Sequence, residues 1–391
     1  MEVLLIIPAR KNSKGIPNKN ITPLLNKPLI SWSITEANKS NYVSRVIVST
    51  DGEEIRNVSL NYGAEVIKRP DELSNDTATS ESALLHALKY LKEKENYVPD
   101  ILVFMQCTSP LTKALDIDNA IEKLLNENAD SATTVTDFHY FIWQETGNGA
   151  KGINHDKNVR LRRQDREKQY LETGSVYVMK TDGFLQNQHR FFGKTVISYM
   201  PPERVVEIDE PVDVSIAESM FQKQLKKEKT KAIPSKLDVV LFDFDGVMTD
   251  DSVFVDETGK ETVRCNRGDG MGISLLKKAG IKAAVLSTEA NPVVAARCKK
   301  LKIECFYNLG HNKLESMKRY FSNNSLSPEN SIYMGNDIND LDCMHYAGCA
   351  VAPRNASEKV KKEADIIIEK FGGEGAVREL CDLILMKKEK A

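Results

Sequence analysis

Short apolar runs alternate with amphipathic stretches along both halves of the chain. Short runs of apolar and β-branched residues lie at 46–49, 101–106 and 131–135, and again at 239–242, 283–286 and 331–334. Short β-branched runs separated by helical periodicity predict α/β architecture, with parallel sheets covered by helices on both faces. Ligands of such folds bind at the carboxyl ends of the strands, so the residues after each strand are the first candidates for chemistry.

The pattern breaks at Leu225–Lys236, where Lys and Glu replace the apolar period and a proline interrupts. A new apolar strand follows directly. At about 150 residues per domain, the 391-residue length also favours two or three domains. We therefore predict a first domain of residues 1–228, a linker of residues 229–236 and a second domain of residues 237–391.

Composition excludes several classes of protein. With 54 Lys and Arg against 56 Asp and Glu the net charge is −2, which disfavours binding to nucleic acid or an anionic membrane. The seven cysteines form no CxxC pair, so neither a zinc site nor a disulfide framework is indicated. The opening apolar run Val3–Ile7 is too short for a signal peptide core or a membrane span. We expect a soluble, cytoplasmic protein with reduced thiols.

A basic loop follows the first predicted strand. It carries Arg10, Lys14 and Lys19 with a glycine and two prolines, and it fits neither the dinucleotide fingerprint nor the P-loop. Cations and free backbone N–H groups at a strand end suit a triphosphate. On the residues alone, a solvated basic loop is the favoured interpretation.

The order of residues in this loop, IPAR-x2-SKGIP-x-KN, resembles the sugar-activating cytidylyltransferases, specifically the CMP-sialic acid synthetases. Further segments follow in family order over roughly residues 1–225: VSTD at 48–51, KRP at 68–70 with DTATS at 76–80, QCTSPL at 106–111 and EID at 207–209. The resemblance implies a Rossmann-like nucleotidyltransferase sheet. It also implies transfer of a cytidylyl group from CTP to a nonulosonate (sialic) acid.

The resemblance implies roles for individual residues. Arg10 and Lys19 would hold the CTP phosphates and act in catalysis, and Asn20, Arg69 and Ser80 would contact the cytidine. Gln106, Arg163, Tyr177, Phe191 and Phe192 would face the sugar, the two phenylalanines in the neighbouring subunit's site. On the residues alone, we would expect Arg163 to belong to a solvated turn and the two phenylalanines to belong to the apolar core. Ile142 stands where the family often has a basic residue.

A divalent cation is expected for nucleotidyl transfer, because the anomeric hydroxyl must attack a phosphorus atom surrounded by negative charge. Oxygen ligands suit Mg²⁺. By the resemblance the ligands are Asp209, with Glu207 or Asp213 in support. An acidic cluster of this kind is otherwise commonly a helix cap or a surface feature.

A second candidate site follows the strand at 239–242. Asp243 and Asp245, two positions apart and followed by a glycine, can face the same side, where paired carboxylates can share Mg²⁺ while one attacks phosphorus and the other moves protons. Turn formation is the alternative for such a pair. Ser287 and Lys313 could bind a phosphoryl group, and Asp337 and Asp340 follow the strand at 331–334.

This order of elements resembles the haloacid dehalogenase (HAD) phosphatases over residues 237–391. The resemblance implies a HAD-type Rossmannoid sheet with a minimal cap, as in phosphatases of 3-deoxy-octulosonate and nonulosonate phosphates, which are tetrameric as a class. Asp243 would be the nucleophile, Asp245 the general acid and base, and Asp337 a metal ligand beside Asp243 and Asp245. Asp340 would steady Lys313 or the metal shell.

Three residues in the stretch STEANPVVAARCKKLK indicate which sugar phosphate the second domain would hydrolyse. Glu289, Arg297 and Lys300 resemble the specificity residues of the phosphatase for the 9-phosphate of 2-keto-3-deoxynononic acid (KDN). The two cations are three apart on a predicted helix and so share a face. A solvated helix face is the alternative.

Together these features predict a bifunctional enzyme. The C-terminal domain would hydrolyse a nonulosonate 9-phosphate with Mg²⁺, and the N-terminal domain would join the free sugar, KDN or N-acetylneuraminate, to CMP with release of pyrophosphate. The alternative is a monofunctional synthetase whose HAD domain is a structural module for tetramer formation. We expect a homo-oligomer, dimeric through the N-terminal domain and tetrameric through the HAD domain, with no nucleic acid or membrane partner.

Overall fold

The computed structural model describes residues 1–13 and 15–389. The chain divides into two compact units, Met1–Gln222 and Lys223–Ala391. Lys14, one of the cations of the basic loop, lies outside the described residues.

The first unit is built on a seven-stranded sheet flanked by helices. The strands of this unit, within and outside that sheet, are β1 Val3–Pro8, β2 Pro23–Leu24, β3 Lys27–Pro28, β4 Arg45–Thr50, β5 Glu65–Lys68, β6 Ile101–Met105, β7 Ser131–Phe138, β8 Trp143–Thr146, β9 Gly149–Gly152, β10 Gln169–Lys180 and β11 Thr195–Tyr199. Its helices are α1 Leu29–Ala37, α2 Glu53–Asn61, α3 Ser80–Glu95, α4 Ala114–Asn126, α5 Thr181–Asn187 and α6 Pro211–Ala232, the last of which runs on into the second unit.

The strand order of this sheet is β11-β7-β10-β6-β1-β4-β5, and the short pairs β2–β3 and β8–β9 lie outside it. The neighbouring strands run parallel except for β10, which is antiparallel to both β6 and β7. The register of β10 against β7 shifts between Glu172 and Tyr177. The prediction of a parallel sheet is therefore wrong for this one strand, because an apolar run does not encode its direction.

The second unit holds a six-stranded, fully parallel sheet. The strands of this unit, within and outside that sheet, are β12 Val239–Phe242, β13 Thr249–Val255, β14 Glu261–Cys265, β15 Lys282–Leu286, β16 Glu304–Phe306, β17 Ser331–Met334, β18 Cys349–Ala352 and β19 Ile366–Ile367. Its helices are α7 Arg267–Lys278, α8 Val293–Leu301, α9 Lys313–Asn323, α10 Leu341–Tyr346, α11 Glu358–Glu363 and α12 Ala376–Lys388. The sheet order is β16-β15-β12-β17-β18-β19, and β13 and β14 form a separate hairpin.

Both faces of the second sheet are packed. Val240 and Phe242 of β12 belong to one apolar core, and Val239 and Leu241 belong to the core on the opposite face. Successive side chains of a strand point to opposite faces, so a run that is buried throughout requires cover on both sides. The hairpin β13–β14, between the first strand and α7, fits a minimal cap. The predicted α/β class with two sheets is confirmed.

The charged stretch at the domain boundary is partly helical. Helix α6 continues to Ala232, so residues 229–232 of the predicted linker are helix, and the boundary between the two compact units falls after Gln222 along the chain. Lys and Glu favour helix, which explains how the stretch stays helical without an apolar period. Pro234 follows the helix end. Domain limits of residues 1–228 and 237–391 stay a prediction.

Two further observations concern the cysteine thiols and the length of the apolar helices. All seven cysteine thiols are free, and five of them are buried. Among the described residues, no helix is long and apolar enough to cross a bilayer.

Candidate active sites

A cavity of about 390 Å³ lies at the carboxyl ends of β1 and β6. It collects six residues that the sequence analysis assigned to CTP, sugar or metal: Arg10, Lys19, Asn20, Ser80, Gln106 and Asp209. Pro8, Ser13, Gly15, Phe104, Cys107, Thr108 and Glu210 complete its lining. The basic loop is therefore part of a concave site.

The loop approaches the segment before α6 very closely. A Cβ at Gly15 would overlap the carbonyl oxygen of Asp209, so the approach requires glycine. Ile16 and Ile208 belong to one small apolar core with Phe221 of α6, which holds the two segments together. Residues nearly 200 positions apart thereby share one wall of the cavity.

Lys19 is the best-placed cation of this site. Its Nζ donates to the carbonyl oxygen of Ile208 at 2.9 Å and pairs with the Asp209 carboxylate at 2.8 Å. The side chain is only 13% exposed. A cation and a carboxylate that meet at the cavity wall can serve a phosphate and a divalent ion together.

Arg10 and Asn20 are held by neighbours. The Arg10 guanidinium pairs with Asp76 at 2.8 Å and donates to the carbonyl oxygen of Asn75 at 3.2 Å. The Asn20 amide donates to the Arg10 carbonyl oxygen at 2.8 Å and accepts from the Cys107 thiol at 2.9 Å. Cys107 was missed as a site residue, although its position directly after Gln106 was the available signal.

Arg69 is buried with unused hydrogen-bonding capacity. It is 5% exposed, and its Nε and Nη2 find no hydrogen-bond partner among the described residues. Its nearest carboxylate, Asp51, is 4.0 Å away. Burial lowers the pKa of Arg69. Buried donors without partners are costly, so this side chain is suited to a ligand that brings acceptors.

Gln106 and Glu207 converge on Gly174, in the irregular part of β10. Gly174 has φ +66°, and a Cβ there would lie 3.0 Å from Gln106 Oε1 and 3.4 Å from the Glu207 carboxylate. Burial and the neighbouring Asp209 raise the pKa of Glu207. Tyr177, on the same strand, stacks on Phe104 with ring centroids 5.2 Å apart. This irregularity shapes the side of the cavity that was assigned to the sugar.

Four of the sugar contacts predicted for the transferase do not line the cavity of their own chain: Tyr177, Phe191, Phe192 and Arg163. Phe191 packs edge-on against Tyr177 at 5.9 Å. Phe192 lies where a Cβ of Gly183 would be and lines a different cavity, of about 570 Å³. Arg163 lines a third cavity, of about 360 Å³, beside His139. Ile142 is exposed.

The acidic residues around the start of α6 have two different roles. Asp213 accepts the backbone N–H groups of Asp209 at 3.0 Å and Glu210 at 2.7 Å, and so caps the start of α6. Asp209 lines the cavity, and the Glu207 carboxylate lies beside it, near Gly174. Nowhere in the described chain do three or more His, Cys, Asp or Glu side chains converge on a ready-made metal site.

The second site is a buried polar cluster where β12 and β17 end. Lys313 Nζ donates to Asp243 at 2.9 Å and to Asp340 at 2.7 Å, and the three side chains are at most 8% exposed. Asp340 also accepts from the Tyr333 hydroxyl at 2.9 Å and from the Asn336 N–H at 2.9 Å. Asp340 therefore fixes Lys313 beside Asp243.

Burial and the neighbouring charges shift the pKa values of the groups in this cluster. Burial and Asp340 raise the pKa of Asp243. Burial opposes the charge on Lys313, yet Asp243 and Asp340 outweigh it and raise its pKa. Burial, with Glu289 and Asp251 nearby, raises the pKa of Asp245 to about 6. A carboxyl group in that range can both give and take a proton near neutral pH.

Asn336 joins the two aspartates. With its amide nitrogen towards them, it donates to Asp243 Oδ2 at 3.2 Å and to the Asp245 carbonyl oxygen at 2.8 Å. Gly246 has φ +75°, and a Cβ there would overlap Asn336. Neither Asn336 nor Tyr333 was singled out from sequence. Tyr333 lies inside an apolar strand, where nothing distinguishes it from a core residue.

The remaining predicted residues lie around β15 and α8. Ser287 is 1% exposed, and its Oγ accepts the Glu289 N–H at 3.0 Å. Arg297 donates to the carbonyl oxygen of Asn266 at 2.8 Å, and its buried Nε has no partner within the described chain. Lys300 is exposed. Glu289 is thus near Asp245, whereas Arg297 is directed towards the start of α7. For Asp337, the side chain caps the turn that begins at Ile338.

The folds and the two sites define a two-domain α/β enzyme with a nucleotidyltransferase site and a hydrolase site. A family model described as cytidylyltransferase matches residues 4–233, and one described as haloacid dehalogenase-like hydrolase matches residues 274–380. The chain belongs to the cytidylyltransferase family and carries a HAD-like hydrolase domain. Both resemblances drawn from the sequence are confirmed.

Two curated relatives align with nearly the whole of this chain. N-acylneuraminate cytidylyltransferase A of Danio rerio is 34% identical over 99% of this chain and 89% of its own. N-acylneuraminate cytidylyltransferase of Oncorhynchus mykiss is 30% identical over 100% and 90%. A pseudaminic acid cytidylyltransferase of Campylobacter jejuni is 31% identical but matches only 57% of this chain.

Among solved structures, the cobalt-bound deoxy-D-mannose-octulosonate 8-phosphate phosphatase of Haemophilus influenzae is 31% identical. It covers 41% of this chain and 92% of its own, with a TM-score of 0.38.

Proposed function

We propose that the chain catalyses two consecutive steps of nonulosonate activation. The C-terminal domain hydrolyses a nonulosonate 9-phosphate, and the N-terminal domain joins the freed sugar to CMP. The observation that carries this proposal is the buried cluster of Asp243, Lys313 and Asp340. A purely structural module would have no need to bury two carboxylates around one lysine, since such a cluster is costly to desolvate.

In the transferase domain, the anomeric hydroxyl of the sugar attacks the α-phosphorus of CTP. The new bond joins that oxygen to the α-phosphorus, the hydroxyl proton passes to solvent, and the bond to the bridging oxygen breaks as pyrophosphate leaves. Lys19 and Arg10 hold the phosphates and offset the charge that moves to the leaving group. Arg69 supplies its unpartnered donors to acceptors of the cytidine, and Gln106 and Tyr177 orient the sugar.

In the phosphatase domain, a carboxylate oxygen of Asp243 attacks the phosphorus. The bond to the sugar oxygen breaks, and Asp245 gives that oxygen a proton. Asp245 then takes a proton from the water that hydrolyses the aspartyl phosphate. Lys313 and Ser287 bind the phosphoryl oxygens, and Glu289, with Arg297 and Lys300, recognises the acidic sugar.

The residues present fit Mg²⁺ at both sites. Glu207 and Asp209 would hold it in the transferase, and Asp243, Asp245 and Asp337 in the phosphatase. Burial and Asp337 raise the pKa of the nearby Asp251, which indicates an excess of negative charge there. Mg²⁺ commonly binds one or two carboxylates together with water and substrate phosphates, so it does not need a complete protein cage. When bound, the ion would neutralise phosphate charge.

Chelation is expected to abolish both activities, because both reactions develop negative charge on phosphoryl oxygens. Protein treated with a chelator and then dialysed is assayed for pyrophosphate and phosphate release, with Mg²⁺ added back. Full activity of either domain in metal-free buffer would contradict its metal site.

Arg10→Ala is expected to lower kcat/KM for cytidylyl transfer roughly 100-fold, because one phosphate-binding cation is lost. Phosphate release should not change. Arg56→Ala removes an exposed arginine paired with Glu53 and serves as the control. Equal loss of both activities in Arg10→Ala would argue for a folding defect.

A substrate panel tests the function as a whole. CTP is supplied with KDN, N-acetylneuraminate or legionaminate, and phosphate release is followed from the three corresponding 9-phosphates. We expect one sugar to be preferred in both assays. If CMP-sugar forms but no 9-phosphate is hydrolysed with Mg²⁺, the HAD domain is a structural module for tetramer formation.

We further propose a homo-oligomer that acts in the cytoplasm. Phe192 and Arg163 lie away from the transferase cavity of their own chain, which suits a dimer in which they reach a partner's site. Exposed Val253 and Phe254 on β13 suit a tetramer formed through the HAD domain. Light scattering of the full chain and of separate segments 1–228 and 237–391 measures both contacts.

A further inference from the structure

Arg190 has no role in the site described above, yet it contacts Phe104 of the cavity lining and two residues beside the cavity, Glu81 and Tyr177. It lies in the loop between α5 and β11. Its Nε donates to Glu81 at 2.7 Å, and its guanidinium lies over the rings of Phe104 at 4.9 Å and Tyr177 at 4.6 Å. The side chain is 19% exposed.

The contacts of Arg190 join the nucleotide side of the cavity to the sugar side. Glu81 directly follows the cavity residue Ser80 in the first turn of α3. On the other side, the Tyr177 hydroxyl donates to Glu172 at 2.5 Å. One cation therefore bridges the start of α3 and the strand β10.

An arginine suits this position better than other side chains. Its planar group can donate in its plane to Glu81 while its face covers the aromatic rings, which the compact ammonium group of lysine cannot do. Burial works against its charge, but Glu81 raises the pKa of Arg190 above its ordinary value. An apolar side chain of similar length would leave the Glu81 carboxylate, which is 13% exposed, without its partner.

We infer that Arg190 is a positioning residue of the transferase. It acts through Tyr177, whose ring and hydroxyl it holds in place for the acidic sugar, and it does so from an anchor at the start of α3. This inference rests on the proposed assignment of Gln106 and Tyr177 to the sugar.

Arg190→Met tests the inference by separating the two substrates. We expect KM for the sugar to rise about tenfold, with KM for CTP within twofold of the wild type. Arg190→Lys should recover little of the loss, since it keeps the charge without the planar group. Equal changes in both KM values, or full recovery by lysine, would overturn the inference.

Two further variants exclude a merely structural effect. Arg45 is also a largely buried arginine, paired with Glu65 and lying 4.7 Å from the Tyr97 ring, but it does not line the cavity. Arg45→Met should lower thermal stability comparably and leave the sugar KM unchanged. In a Tyr177→Phe background, Arg190→Met should raise the sugar KM less than it does alone, and additive effects would contradict action through Tyr177.

The outcomes also separate this inference from the proposed function. If the wild-type chain forms no CMP-sugar from any acid of the panel, the proposed function fails. If the wild type is active and Arg190→Met leaves the sugar KM unchanged, only the role of Arg190 fails.

Discussion

Asp243→Asn is expected to lower the rate of phosphate release by about 10⁴-fold or more, while the rate of cytidylyl transfer stays within twofold of the wild type. The amide cannot form the aspartyl phosphate, and losing a covalent nucleophile removes the whole sequence of steps that depends on it. The substitution preserves shape and still leaves an oxygen that can accept from Lys313. Steady-state assays of both activities on the same preparation give the measurement.

Asp342→Asn is the matched control for this variant. Asp342 is an exposed aspartate in the first turn of α10, in the same domain. It should keep both activities. If Asp243→Asn instead lost both activities together, the model of two independent sites would be wrong.

Lys19→Met is expected to lower kcat/KM for cytidylyl transfer about 10³-fold and to leave phosphate release unchanged. Methionine keeps much of the side-chain volume but removes the charge that would meet the CTP phosphates, and it leaves Asp209 without its 2.8 Å partner. Pyrophosphate release at varied CTP concentration measures the effect. CTP binding to the variant should weaken as well.

The control for Lys19→Met is Lys89→Met on α3, where the lysine side chain is 74% exposed. It should behave as the wild type. A Lys19→Met enzyme with a normal rate and a normal KM for CTP would remove Lys19 from the phosphate site, and the basic loop would then be the solvated surface loop that its composition also allows.

Strand positions and the location of both sites could be predicted from the sequence. Fully buried parallel strands are continuous apolar runs, so β6 and β12 stand out, and residues after such strands meet at one edge of the sheet. This reasoning places Gln106 beside the basic loop and Asp243 beside the residues that follow β17. It depends only on local pattern and on the geometry of parallel sheets.

Other features depend on packing that the pattern does not encode. Strand β10 is antiparallel to its neighbours, but its apolar run looks the same as that of a parallel strand. Tyr333 lies within a buried strand and Cys107 lies just after one, so the sequence does not distinguish either from a core residue. Their hydrogen bonds to Asp340 and Asn20 depend on how the chain packs. Arg190 is a single cation in a loop, and its two aromatic neighbours come from β6 and β10.

The close approach of Gly15 to Asp209 also bears on how the domain forms during synthesis. The last strand of the first sheet, β11, ends at Tyr199, before the segment that carries Asp209. A growing chain can therefore complete its sheet while the basic loop still lacks the opposite wall of the cavity. Once the sheet has formed, only the short segment after β11 must dock, and the packing of Ile16, Ile208 and Phe221 offsets the chain entropy that this ordering costs. The nascent domain would fold first and become able to bind CTP only afterwards.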